Sequence, residues 1–258
     1  MQVTALVENT AARKGLGAEH GLSLLIEIRG RSILFDAGQS GLFAENATLL
    51  GLDLKKVEFA VLSHGHYDHG GGLGRFLEIN SISPVCVHPK AFEPHYHGPE
   101  RYIGLDPDLR GNPRFHLAEN GSHPLPGMTV FCSQGRKNVF PFLSPELTVM
   151  KDEGHAPDDF DHEIYLLVEE DGKRVLFSGC SHKGILNVMD WFRPDIFIGG
   201  FHLSSYPLDE ELTALSETLA AYDTEYYTCH CTGTEQYRWM KKTLPRLHYL
   251  AGGDTIKL

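Results

Sequence analysis

Apolar residues fall in short runs along this chain, and many of the runs stop at a polar or metal-competent side chain. Residues 3–7 form the first run and residues 22–28 the second. Residues 31–36 follow at once. Gly30 marks the tight connection of a hairpin, so the chain opens with antiparallel strands and not with a β-α-β unit. Residues 42–50 set Leu42, Phe43, Leu49 and Leu50 at helical spacing, and Gly51 supplies a stop. The run that opens at Val57 is another strand, residues 73–79 a helix and residues 85–88 a short strand, in the order of a crossover within one sheet.

Residues 89–126 break the pattern. Gly, Pro, His and charged residues are mixed with isolated apolar ones, which predicts an irregular, lid-like insertion. Its histidines, His95, His97, His116 and His123, are expected at the surface. Residues 128–133 return to a strand, and residues 134–142 to a turn region whose Gly135-Arg136-Lys137 reads first as a solvated loop. Residues 152–163 hold six acidic side chains and no basic one, most of them expected in solvent. Strands are predicted over 164–168, 174–180, 195–200 and 226–228, and helices over 185–192, 208–222 and 234–242. Asp209, Glu210 and Glu211 suit the positive N-terminal end of the second of these helices. Residues 247–250 and 255–258 are closing strands.

The strand that opens at Val57 runs into SHGHYDHGGGL, which places His64, His66, Asp68 and His69 within six residues. Neutral imidazole and carboxylate are ligands for a borderline cation such as zinc, at about 2.0–2.2 Å. In extended chain, residues i and i+2 point the same way, so His64 and His66 can share one ion. Asp68 and His69 are neighbours and must diverge, which suits a second ion beside the first. Gly70, Gly71 and Gly72 let the backbone turn tightly and approach the site closely.

At these residues the chain resembles the metallo-β-lactamase superfamily, whose signature loop is H-x-H-x-D-H. Related flavodiiron oxidoreductases carry Glu where this chain has His66, so the resemblance favours hydrolytic chemistry over dioxygen reduction. It implies an α/β fold, a four-layer αβ/βα sandwich, built as one domain over 1–258 with the insertion at about 89–126. It also implies that Asp36 supports the ligand loop from behind, and that a third histidine of the first ion precedes a strand. His162 fills that description, with His155 and Asp161 as competitors. An Asp that bridges both ions usually stands where this chain has Cys180. Either Cys180 substitutes as thiolate, at about 2.3 Å from zinc, or His182 takes the role. His230 matches the last ligand; Cys229 and Cys231 beside it are too few for a closed structural zinc site of their own. Four phrases resemble a particular branch: His20-Gly21-Leu22-Ser23, Gly179-Cys180-Ser181-His182 with Gly184-Ile185 and Asn187, Gly199-Gly200-Phe201-His202-Leu203, and His230-Cys231-Thr232-Gly233. This is the group labelled after an archaeal 7,8-dihydropterin-6-methyl-4-(β-D-ribofuranosyl)-aminobenzene-5'-phosphate synthase.

The resemblance implies a metal-dependent hydrolase with one or two Zn2+ ions, or Mn2+ or Fe2+, and a metal-activated water. Its substrate would be an ester, phosphoester or related small molecule. Asp68 would orient or deprotonate the nucleophile, His182 and His202 would assist the leaving group, and His20 and His202 would bind substrate. The alternatives are a pterin-linked synthase on the same site and a non-catalytic metal- or ligand-binding module. Composition narrows the partners further. A net charge of −11 argues against nucleic acid. No run approaches about 18 apolar residues, and the start lacks the signature of a signal peptide, so neither a membrane span nor export is expected. Five cysteines without scaffold spacing suit a reducing, cytoplasmic setting, and 15 histidines fit a metal protein.

Overall fold

The computed structural model describes residues 1–142, 144 and 146–258. Its framework is two large sheets packed face to face. The first has seven strands in the order Thr255–Lys257, Gln2–Val7, Ser23–Ile28, Arg31–Phe35, Val57–Val61, Val85–Val87 and Phe115–Leu117. The second has six, in the order Leu247–Tyr249, Glu225–Thr228, Ile196–Gly199, Lys173–Ser178, Ile164–Glu170 and Met128–Cys132. Each sheet begins with antiparallel pairing and continues in parallel: from Arg31–Phe35 onward in the first and from Lys173–Ser178 onward in the second.

Alternation along the strands builds the layers. Leu24, Ile26 and Ile28 face the second sheet, whose Leu166, Val168, Val175 and Phe177 complete the central core. Leu25 and Leu34 point the other way, under the helices Leu42–Leu49 and Leu73–Ile79. Leu167 and Leu176 likewise face the helices Ile185–Phe192, Glu210–Ala220 and Thr234–Met240. A strand that is apolar at every position can be buried on both faces, because successive side chains point to opposite sides. The result is helix, sheet, sheet, helix: the four layers expected. Asp209 caps Glu210–Ala220, its side chain accepting from the N–H groups of Glu211 and Leu212.

Two expectations need correction. Residues 89–126 are not irregular throughout. His95–His97 and Arg101–Tyr102 form a hairpin, which joins Leu147–Lys151 and Gly154–Pro157 in a separate four-stranded sheet. Phe115–Leu117 extends the edge of the first large sheet. These strands hold two to five residues each, too short for a period to register. Their pairing depends on partners some fifty residues away, such as Val149 opposite His95. The acidic stretch is not all solvated either, since Asp158 and Glu163 are buried. Ile103, Leu147 and Phe160 form a small apolar cluster with Tyr67, fastening this third sheet to the ligand loop. Among the described residues no helix is long and apolar enough to cross a membrane.

Phe177 is fully buried between the sheets, its ring 5.9 Å from that of Phe35. Phe177→Ala should therefore cost about 3–5 kcal/mol in chemical denaturation. Leu117→Ala, at a side chain 63% exposed, should change stability by less than about 0.5 kcal/mol.

Candidate metal centre

The parallel strands deliver their carboxyl ends to one edge, and the sequence motifs gather there. Arg31–Phe35 ends in Asp36, Val57–Val61 in the ligand loop, Lys173–Ser178 in Gly179-Cys180-Ser181-His182, Ile196–Gly199 in Phe201-His202 and Glu225–Thr228 in Cys229-His230-Cys231. Asp36, Ser181, His202 and His230 all have left-handed backbone, with φ of 59°, 57°, 53° and 51°. Each such non-glycine conformation costs of order 1–3 kcal/mol, and strain of this kind gathers at functional sites. The glycines after the loop allow close approach: a Cβ on Gly72 would run into the carbonyl oxygen of Ala37.

Hydrogen bonds behind the histidines determine where their lone pairs point. The buried Asp36 carboxylate accepts from the Ser63 N–H (2.7 Å), the Ser63 hydroxyl (2.7 Å) and His69 Nδ1–H (2.6 Å). His69 Nε2 is therefore left bare when the ring is neutral. Ser63 has spent its one proton on Asp36, so at 2.8 Å from His64 Nδ1 it can only accept, and His64 Nε2 is bare as well. Asn9 Oδ1 accepts from the Gly21 N–H and lies 2.8 Å from His230 Nδ1. That leaves His230 Nε2 without a proton too.

Two of these bare nitrogens, on His69 and His230, face each other. His69 Nε2 lies 3.2 Å from His230 Nε2 and 3.1 Å from Cys180 Sγ, and His64 Nε2 lies 3.2 Å from His182 Nε2. Asp68 Oδ2 lies 3.3 Å from His230 Nε2 and 3.1 Å from His20 Nε2. His66 Nε2 and His182 Nδ1 are buried without a hydrogen-bond partner. Facing lone pairs repel unless a proton or a cation sits between them, so this donor set fits a metal ion. The ligand atoms of His64, His66 and His182 fall within 4.8 Å of one another, as do those of His64, His69 and Cys180, and those of His20, Asp68 and His230.

Electrostatics agree. Burial, reinforced by neighbouring imidazoles, holds His64, His66 and His182 well below the ordinary histidine range, in the neutral form a metal needs. Burial also pushes His69 down, but Asp36 and Asp68 outweigh it and hold the group up at about 9. A proton and a cation thus compete for that nitrogen. Burial would raise Asp68, yet His69 and the hydrogen bond from His20 keep its carboxyl well below the usual range.

His162 has a different environment. Gly65 N–H donates to its Nδ1 (2.9 Å), which puts the ring proton on Nε2, 3.3 Å from Asp158 Oδ2. His95 Nδ1–H donates to the same oxygen at 2.7 Å, and the two rings lie 4.1 Å apart. Both nitrogens of His162 are therefore engaged by protein groups, its ring lies 6.0 Å from that of His64, and its ligand atom falls within 4.8 Å of those of His66, His95 and Asp158. His182 instead stacks on Phe160, with rings 4.5 Å apart and 4° from parallel, and touches His64. His155 is exposed near Thr148, and Asp161 pairs with Lys183 and Lys90, so neither joins the cluster.

Sequence reasoning missed several supporting groups. His95, expected at the surface, is fully buried, because the hairpin it belongs to was not legible. Asp158 was read with the solvated acids. Glu163, fully buried, accepts from the backbone N–H groups of His182 and Lys183 and from Tyr165 Oη–H, holding the cysteine-histidine turn. Its only signal was an acid directly before an apolar strand. His20, Asp68, His182, His202 and His230 border one cavity of about 270 Å³. His202 N–H donates to Cys231 Sγ (3.3 Å). Burial would lower His202, but Cys231 outweighs it and raises the group.

A model of the metallo-β-lactamase superfamily matches residues 16–227. An uncharacterized protein of Methanocaldococcus jannaschii is 32% identical over 241 residues, covering 90% of each chain. The 7,8-dihydropterin-6-methyl-4-(β-D-ribofuranosyl)-aminobenzene-5'-phosphate synthase of the same organism is 27% identical over 271 residues, 93% of this chain and 90% of its own. A crystal structure of a metal-dependent hydrolase of the β-lactamase superfamily is similar at a TM-score of 0.83 and 27% identity, over 100% of this chain and 99% of that one. Zn2+-bound PqqB from Methylobacterium extorquens shares the fold, with a TM-score of 0.63 and 13% identity over the full length of both. The motif loop, the layered sheets and these relatives agree: this chain belongs to the metallo-β-lactamase superfamily.

Proposed function

We propose that this chain is a metal-dependent hydrolase of an ester, phosphoester or related small molecule, with two divalent cations at the sheet edge. The observation that carries the reading is the facing of the bare His69 and His230 nitrogens at 3.2 Å, with the Asp68 carboxylate and the Cys180 thiol beside them. His64, His66 and His182 would hold one ion. Asp68, His69 and His230 would hold the other, with Cys180 Sγ against His69 as a further donor. Imidazole, carboxylate and thiolate together suit Zn2+ best, with Fe2+ and Mn2+ as substitutes. Such ions supply Lewis acidity to a carbonyl or phosphoryl oxygen and a nucleophilic water at neutral pH.

The chain's own groups do the rest. Asp36, Ser63 and Asn9 orient the ligands from behind. Asp68 borders the cavity as a proton acceptor that can align the nucleophile. His182, committed to His64, leaves His202 as the imidazole best placed to hand a proton to the leaving group. His20, exposed and bonded to Asp68, stands at the substrate side. All five cysteines are free and buried, which supports a reducing, cytoplasmic setting.

One relative bears a synthase name at 27% identity, which supports a second reading: condensation of a dihydropterin with a ribofuranosylaminobenzene phosphate on the same centre. Product analysis separates the two, since a hydrolase yields an acid or alcohol and a synthase a new bond between its substrates. A chain that binds cations and ligand but turns over neither class would be a binding module.

Mutagenesis tests the centre. His66→Ala and Asp68→Ala should each lose a bound ion by elemental analysis and lower turnover by at least about a hundredfold; undiminished turnover would refute the reading. His182→Ala should also lose an ion. His162→Ala should keep both ions and instead lose roughly 3 kcal/mol of stability, because Asp158 is left short of a partner in the interior.

A further inference from the structure

The cavity beside the centre has a second polar wall for which the catalytic reading has no use. Arg101 and His97 are cross-strand partners in the hairpin of the small sheet, so their side chains stand on one face, and both border the cavity. Ser204 and Ser205 border it from the loop that follows His202. The hairpin is held in register with the ligand loop at two points. Tyr67 N–H donates to the Ile103 carbonyl (2.8 Å), and Arg101 Nη2 donates to Tyr67 Oη (3.1 Å).

Arg101 is the one lysine or arginine that borders this cavity among the described residues. The chain has 34 acidic side chains against 23 basic ones, yet no described carboxylate lies within 4.0 Å of the Arg101 guanidinium. Glu146 borders the same cavity without reaching it. A guanidinium offers five N–H donors in a planar fork that matches carboxylate and phosphate oxygens. Here one donor is used, on a tyrosine of the metal-binding loop.

We propose that Arg101, with His97, Ser204 and Ser205, forms a subsite for a second anionic group of the substrate, a terminal carboxylate or phosphate remote from the bond that breaks. This rests on the hydrolase reading, because it leaves His20, Asp68, His202 and His230, which line the same cavity, to the reacting group. Substrates are then molecules charged at one end and cleaved at the other. Net charge elsewhere on the protein disfavours anions, so the local pair of cations and guanidinium selects them.

Two measurements on zinc-loaded protein test it. In calorimetry, dicarboxylates from succinate to suberate are compared with monocarboxylates of the same length, and 3-phosphonopropionate with butyrate, which has a methyl in place of the phosphonate. The doubly charged member should bind about ten- to a hundredfold tighter at its best length, the range expected of a charge-assisted contact, and added salt should shrink the gap. Arg101→Gln should abolish the gap while zinc content stays the same. Whichever of carboxylate and phosphonate shows the larger gap names the group. In kinetics, 4-nitrophenyl esters ending in methyl, carboxylate or phosphate should show a raised KM in Arg101→Gln for the charged esters alone. Equal binding of mono- and dianions, or an equal loss for neutral and charged ligands in Arg101→Gln, would overturn the subsite. Bound zinc without ester turnover, with the calorimetric gap intact, would instead count against the hydrolase reading and leave the subsite standing.

Discussion

A single buried carboxylate organises the metal edge. Asp36 has 1% of its surface exposed, and an ionised group there is tolerable because three donors converge on it. Their geometry does more than satisfy a charge. By taking the proton of Ser63 and that of His69 Nδ1, Asp36 leaves His64 and His69 with Nε2 lone pairs directed at the cavity. Asn9 does the same for His230 from the loop after Gln2–Val7. The tautomers of these histidines are thus set by Asp36, Ser63 and Asn9.

The sheets make this convergence available. Parallel strands carry their carboxyl ends to the same edge, so motifs more than a hundred residues apart meet without long loops. Between them the apolar faces of both sheets pack on each other. Left-handed backbone recurs at the edge: Asp36, Ser181, His202 and His230 adopt it there, held by hydrogen bonds such as that from the His230 N–H to the buried Glu8 (2.7 Å).

Local signals made the ligand loop, Asp36 and His230 legible, because each stands at the end of an apolar strand run where a polar residue has no other reason to be. Which of His162 and His182 stands against His64 was not legible in the same way. His162 and His182 both flank strands, and only space distinguishes them: the Gly65 N–H and Asp158 occupy His162, while Phe160 stacks His182 against His64. His95, Asp158 and Glu163 escaped notice for a related reason. Their burial follows from the short third sheet and from contacts across the chain, neither of which leaves a period in the local pattern.

By itself, then, the sequence determined most of the strands and helices of the two large sheets, the family and the candidate donors of the ligand loop, since hydrophobic alternation and clustered ligand types act over a few residues. Tertiary structure alone decided which donors face each other, which protein groups each histidine bonds, and that Arg101 borders the cavity. Those outcomes depend on distances between segments far apart in the chain, and on which proton each partner takes, neither of which spacing along a polymer can encode.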